Sequence, residues 1–367
     1  MNKIIVQVGR TGALTPVAEL EPINLLGTVI KRASLHNFDE IKRLDLRIGD
    51  TVVIKKAGDI IPQITKVLPN LRPKNAQAVL EPLFCPICKA KTIKRRILSG
   101  QKETVLHCSN PNCFAKNLEQ IIHFVSKKGF NIEGLGDRIV EQLLKAGLIL
   151  KAADIFKLKK DDLIGLEKFA AKKAENLIHA ISQAREVTFD RFVYALGIRH
   201  IGEQTAYLIA NQLLKIKQRQ DRKQDIISWL LDYLADSKQM YRDLAEVQGL
   251  GIVALNSLAA WFKDQGNKKL LKDFRTLGIK VKIPDQVMVQ SRISGKSFVF
   301  TGELAGMSRS EAQNQVRKQG GRVLSSISQI TDFVIAGKGP GSKYEKAKRL
   351  GIKIIGEQEF LKMIAEN

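Results

Sequence analysis

All four cysteines of this chain fall within 29 residues, as Cys85-x2-Cys88, nineteen intervening residues, and Cys108-x4-Cys113. With no other thiol in 367 residues, this clustering constrains the fold around one point more than any other feature. Two short knuckles joined by a spacer can deliver four thiolates to a tetrahedral Zn²⁺, each at about 2.3 Å. Pro86 and Pro111 prime both knuckles for tight turns. Two disulfides, or four unrelated buried thiols, are the competing readings. Disulfides belong to oxidising compartments, and the residues after Met1 do not read as a basic, apolar and small-residue leader. A structural zinc is expected at Cys85, Cys88, Cys108 and Cys113. A catalytic zinc is not, because four thiolates leave no position for water.

The length implies about two to four domains. No stretch approaches the roughly 18 consecutive apolar residues of a membrane span. The formal net charge is +23 and the pI about 9.8, so the expected partner is a polyanion, with nucleic acid first. An aromatic content of 6% argues against a protein that mainly stacks single-stranded bases. The charge peaks in residues 51–118, which carry 12 Lys/Arg against 3 Asp/Glu. A merely solvated face usually mixes both signs.

The chain reads as a multidomain α+β protein. Residues 1–69 hold short β-rich runs, such as Ile4–Val8 and Asp50–Ile54, punctuated by glycines; a small barrel of the OB type is expected. A proline-marked linker leads into the four-cysteine zinc finger, the two together covering residues 70–118. Apolar spacing is helical over 119–284, and a second linker lies near Ile283-Pro284-Asp285. Residues 290–367 alternate strand and helix, which implies a small parallel sheet.

The helical block carries a weak repeat: Ile132-Glu133-Gly134-Leu135-Gly136, Ile164 to Ala170, Leu196-Gly197-Ile198-Arg199-His200-Ile201-Gly202, and Val247-Gln248-Gly249-Leu250-Gly251. Each follows one expected helix and opens another. Small residues there let a DNA backbone approach, with amides and the next helix N-terminus aimed at a phosphate. This gives a four-copy helix-hairpin-helix domain with Gly134, Gly136, Gly197, Gly202, Gly249 and Gly251 as DNA-binding candidates. The second copy ends in Ala170 instead of glycine, so its phosphate contact is expected to be lost. Gly-x-Gly is also an ordinary helix-joining turn, which is the alternative for any single copy.

Gln7-Val8-Gly9-Arg10-Thr11-Gly12-Ala13-Leu14-Thr15-Pro16-Val17-Ala18 resembles the signature that opens the OB domain of bacterial NAD-dependent DNA ligases. Ala33–Asn37 and the run from Arg47 to Pro62 resemble two further stretches, and the cysteine module, the hairpins and a terminal BRCT-type domain (290–367) follow in that family's order. Lys56 stands where the family has arginine, and Lys215–Tyr241 is a longer, polar and charged connection. The resemblance implies a C-terminal portion of such a ligase. The family's nucleophilic lysine lies in a K-x-D-G motif of an adenylation domain, and no K-x-D-G occurs here, so no lysine is nominated and this chain alone is expected not to form lysyl-AMP.

What the resemblance implies for function is a clamp on nicked double-stranded DNA, with NAD⁺ and Mg²⁺ entering only through the adenylation portion, supplied by a separate chain or upstream. Arg10 is the first choice for a backbone contact beside the nick, with Thr11, Lys55 and Lys56 in support; the alternative is that Arg10 only caps a turn. Lys94, Arg95 and Arg96 are a basic run beside the knuckles. In the BRCT-type domain, Thr301, Gly302 and Lys343 take the places of a phosphate cradle, against the alternative that the glycine only serves the fold. The setting implied is cytoplasmic and nucleoid-associated, with no membrane partner. A stand-alone DNA-binding or scaffolding protein is the other reading, and a thiol redox protein a remote one.

Overall fold

A computed structural model describes residues 1–25, 27–57, 61–96, 104–167, 169–220, 224–283, 293 and 295–365. Gly58-Asp59-Ile60 of the Arg47–Pro62 stretch, Lys168, and the Pro284-Asp285 linker lie outside these residues, as do the side chains of Arg95 and Arg96. The chain divides into two compact units, Met1–Lys282 and Ile283–Asn367.

The first unit opens with a five-stranded sheet. Strand Lys3–Val8 pairs antiparallel with Leu14–Leu25, which pairs antiparallel with Thr28–Ser34. Thr28–Ser34 runs parallel to Ile61–Val67, whose other neighbour is the antiparallel strand Val52–Ala57. Helix Phe38–Arg43 sits between the third and fourth strands, so order and connections are those of an OB barrel. Alternation explains why: along the second strand Leu14, Pro16, Ala18 and Leu20 are buried while Thr15, Val17 and Glu19 are not. The strand is bulged between Glu19 and Ile23, which bends it. Asn37 caps the helix, its Oδ1 accepting from the Glu40 amide at 2.8 Å.

The linker after the barrel is pinned to it. The Arg72 guanidinium donates to the wholly buried Asp50 carboxylate at 2.7 Å and to Asp45 at 2.7 Å, and Gln77–Ala78 pairs with Arg47–Ile48. The cysteine module then adds the hairpin Thr92–Arg96 with Thr104–Cys108. Its core is continuous with the barrel's: Cys85, Leu106, Cys108 and Cys113 cluster with Val8, Leu14 and Ile64.

A single apolar core runs through the helical region from Ile121 to Ile279, centred on Phe124, Phe130, Phe156, Phe192 and Phe274. The connection 215–241 differs from its polar appearance. Helix Ile226–Tyr233 buries Ile226, Ile227, Trp229, Leu230 and Tyr233, and the Trp229 indole donates to Gln220 Oε1 at 3.0 Å. Its charged flanks mask an apolar helix in sequence.

In the second unit four parallel strands lie in the order Arg322–Val323, Ser297–Thr301, Phe333–Ala336, Lys353–Gly356. Helices Arg309–Lys318, Ser342–Arg349 and Glu357–Ala365 accompany them. The central strand Ser297–Thr301 is buried throughout, the pattern of a parallel strand covered on both faces.

Candidate metal centre and nucleic-acid interface

The four cysteine sulfurs converge, all lying within 4.8 Å of one another. Cys88 and Cys108 Sγ are 3.4 Å apart, and Cys85 and Cys113 Sγ 3.9 Å. A tetrahedral ion with metal–sulfur bonds of about 2.3 Å separates its sulfurs by roughly 3.8 Å, whereas a disulfide needs about 2.05 Å. None of the four is in a disulfide. Both knuckles fold by local backbone bonds. The Lys89 amide donates to Cys85 O at 3.0 Å with Lys89 at φ +59°, and the Cys85 amide donates to Ala90 O at 2.8 Å. Cys113 is the N-cap of helix Phe114–Val125, and its carbonyl accepts from the Asn117 amide at 3.0 Å. Burial pushes the Cys108 thiol up to about 12, with Cys88 adding to it. Four ionised thiols in this space therefore need a cation among them, so the donor set fits one metal ion.

The cysteine knuckles hold the Gly9–Gly12 turn of the barrel. The Cys108 amide donates to Gly12 O at 2.8 Å; Gly12 has φ +83°, and a Cβ there would stand 3.1 Å from Lys116 Cδ. The next residues place Arg10. It is half-buried, its guanidinium packed on Gly197 and His123, and the Gln120 side chain donates to its carbonyl at 3.4 Å. Burial holds Arg10 below the ordinary arginine value, against the opposing pull of Tyr194 and Glu119. Arg10 thus turns towards the helical region in this structure. Thr11 is half-buried, Lys55 is exposed, and Lys56 donates to Thr28 Oγ1 at 3.2 Å. Lys94 pairs with Glu81 at 2.7 Å.

The four hairpins share one turn. The Leu135 amide bonds Ile132 O at 3.2 Å, Phe169 bonds Leu166 at 3.1 Å, Ile201 bonds Ile198 at 3.1 Å, and Leu250 bonds Val247 at 3.0 Å. The residue after each donor is the N-cap of the following helix: Gly136, Ala170, Gly202 and Gly251, extended and with no side-chain cap bond. None of these cap residues supplies a side-chain acceptor for the first amides of its helix. A Cβ at Gly136, Gly202 or Gly251 would meet nothing within 4 Å, and their φ values, −79°, −89° and −76°, suit any residue. The fold does not itself require glycine there. Ala170 has the same cap geometry, φ −76°, so the second copy keeps the backbone and adds only a methyl.

This register relocates one glycine. Gly134 (φ +79°) and Gly249 (φ +91°) occupy the third position of their turns, but the third hairpin has His200 there, at φ +62°. Gly197 instead ends helix Phe189–Ala195, its amide bonded to Tyr194 O at 3.0 Å, and forms the seat of Arg10. Counting glycines conceals His200; aligning the buried pairs Ile132/Leu135 and Ile198/Ile201 reveals it.

In the second unit Thr301 is buried at the end of its strand and Gly302 has φ +76°. A Cβ on Gly302 would stand 2.7 Å from Lys338 O, so the fold alone demands this glycine. Arg309, which the sequence reading missed, donates to Gly302 O at 2.9 Å. Burial, and then Arg309, hold the Lys343 amine below the ordinary lysine value. Arg309 also lines an open groove of about 770 Å³, together with Gly302 to Ser308, Lys338 and Gly339. Among the described residues no helix is long and apolar enough to cross a membrane.

Comparison with known proteins agrees with this architecture. The family model of the NAD-dependent DNA ligase OB-fold domain matches residues 1–76, and that of the BRCA1 C Terminus (BRCT) domain matches residues 289–364. A DNA ligase of Coxiella burnetii is 40% identical over 98% of this chain, one of Syntrophotalea carbinolica 41% over 99%, and one of Geotalea uraniireducens 38% over 99%. The chain spans about half the length of these relatives: 50%, 51% and 51%. Among solved structures, Rad4 BRCT1,2 in complex with a Crb2 phosphopeptide aligns with 29% of this chain and 56% of its own, at 20% identity and a TM-score of 0.19.

Proposed function

We infer that this homologue of DNA ligases is the C-terminal, DNA-gripping portion of an NAD-dependent DNA ligase, which holds nicked duplex while an adenylation domain supplies the lysyl-AMP chemistry. The observation that carries the inference is the set of exposed hairpin caps at Gly136, Gly202 and Gly251, where glycine serves nothing inside the chain. A phosphodiester backbone is a ligand that would need that space, and the chain's charge of +23 suits it. Phosphate contacts carry no sequence information, as suits an enzyme that seals any nick. Gly134 and Gly249 shape the turns, and Lys55, Lys56 and Thr11 lie on the barrel as further donors. Arg10 would reach a nick only by leaving its seat on Gly197.

Zn²⁺ is the metal that best suits four thiolates, and its role is to fix helix Phe114–Val125 against the barrel turn. NAD⁺ and Mg²⁺ would act in the adenylation portion. Sealing needs the 3′-hydroxyl held in line with the AMP-activated 5′-phosphate, and a rigid grip on both flanks contributes that alignment. A nucleoid-associated place in the cytoplasm follows from such a role.

The test is ligation in trans. A separately expressed adenylation domain, given NAD⁺, Mg²⁺ and nicked duplex, should seal faster when this chain is added. DNA binding without any rise in sealing would favour a non-catalytic scaffold instead.

Thr301, Gly302 and Lys343, with Arg309, are proposed to hold one phosphate. Inorganic phosphate should shift the Thr301 and Gly302 amide resonances in the wild-type chain and leave them unmoved in Lys343→Glu. Equal shifts in both proteins would remove Lys343 from the site.

A further inference from the structure

We propose that His200 is a phosphate-contacting side chain, the residue by which the third hairpin grips duplex DNA differently from the first and fourth. The proposal rests on the hairpin reading above and adds a side-chain donor to it.

In the first and fourth hairpins the third position of the turn is glycine, which adopts positive φ without strain. The third hairpin keeps the same turn bond, Ile201 N to Ile198 O at 3.1 Å, and the same extended cap at Gly202, yet carries a histidine at φ +62°. A non-glycine residue adopts that conformation only at a cost in backbone strain. Packing does not repay that cost, because His200 is exposed while Ile198 and Ile201 on either side fill the core.

The side chain therefore stands out from the tip that the cap amides also face. Its neighbours favour an anion: Arg199 adjoins it, and Glu203, the first residue of the next helix, is taken up by Lys128 at 2.6 Å. An imidazole N–H reaches a phosphate oxygen from a tip where glycine offers only backbone. The third hairpin would then make one phosphate contact more than its glycine-tipped counterparts.

His200→Gly separates structure from contact, since glycine relieves the backbone and removes only the side chain. Its melting temperature should equal or exceed that of the wild-type chain. Its affinity for nicked duplex should fall by about three- to tenfold, the worth of one hydrogen bond. His200→Lys should recover most of the loss. Wild-type affinity in His200→Gly would overturn the proposal, and so would a lowered melting temperature, which would make the imidazole structural. If the wild-type chain itself fails to bind duplex, the hairpin reading fails. If Gly136 and Gly251 variants weaken binding while His200→Gly does not, only this proposal fails.

Discussion

Serine at Cys113 is expected to empty the metal centre and to loosen everything fastened to it. The sulfur is wholly buried, and it begins helix Phe114–Val125. That helix ties two parts of the first unit: Gln120 reaches the barrel turn at Arg10, and His123 Nε2 lies 2.8 Å from Tyr194 O in the helical region. Structural zinc in small modules contributes about 10–16 kcal/mol of apparent binding energy, comparable to the stability of a whole domain. Even a loss of about 5 kcal/mol lowers the melting temperature of a unit this size by roughly 10–20 °C. Bound zinc should fall from one equivalent to none, and an excess of chelator should reproduce the effect on the wild-type chain. Because the barrel and the knuckles share one core, barrel signals should melt with the metal. A Cys113→Ser protein that keeps its zinc and its melting temperature would show that the metal does not hold this joint.

The second large effect pits stability against binding. Aspartate at Gly136, Gly202 and Gly251 should leave the fold as stable or more stable, since aspartate is a favoured N-cap and each site has open space and an ordinary φ. The same carboxylates occupy the place of a phosphate and consume the cap amides. Each substitution should weaken duplex binding by roughly tenfold or more, the loss of one charge-assisted contact. The log–log salt slope should fall by about one unit for each phosphate lost. Unchanged affinity in the triple variant, with an intact fold, would mean that DNA does not meet the hairpin tips. Ala170→Asp serves as the comparison: its methyl already occupies that space, so the change should cost far less.

Sequence legibility followed the range of the interactions involved. The cysteine knuckles and the barrel strands could be read because their signals are local: a fixed spacing of sulfurs, and alternation along Leu14–Leu20. The hairpins could be counted but not aligned. Their register is set by buried pairs such as Ile198/Ile201, and Gly197 lay near enough to pass for part of the turn. Helix Ile226–Tyr233 was obscured by the charged residues around it. The direction of Arg10 depends on Gly197 and His123, residues more than a hundred positions away, and no local pattern carries that information. The cation pair Arg309 and Lys343 likewise needs the sheet to bring the starts of two helices together.

The central claim is that this chain grips duplex DNA through its phosphates at several separate points. The most direct measurement is the affinity of the zinc-loaded chain for nicked duplexes of unrelated sequence, followed across salt concentration. A grip through three hairpin tips and the barrel predicts the same affinity for every sequence and a log–log slope of about −3 or steeper. A slope near zero, or affinity that depends on sequence, would contradict it.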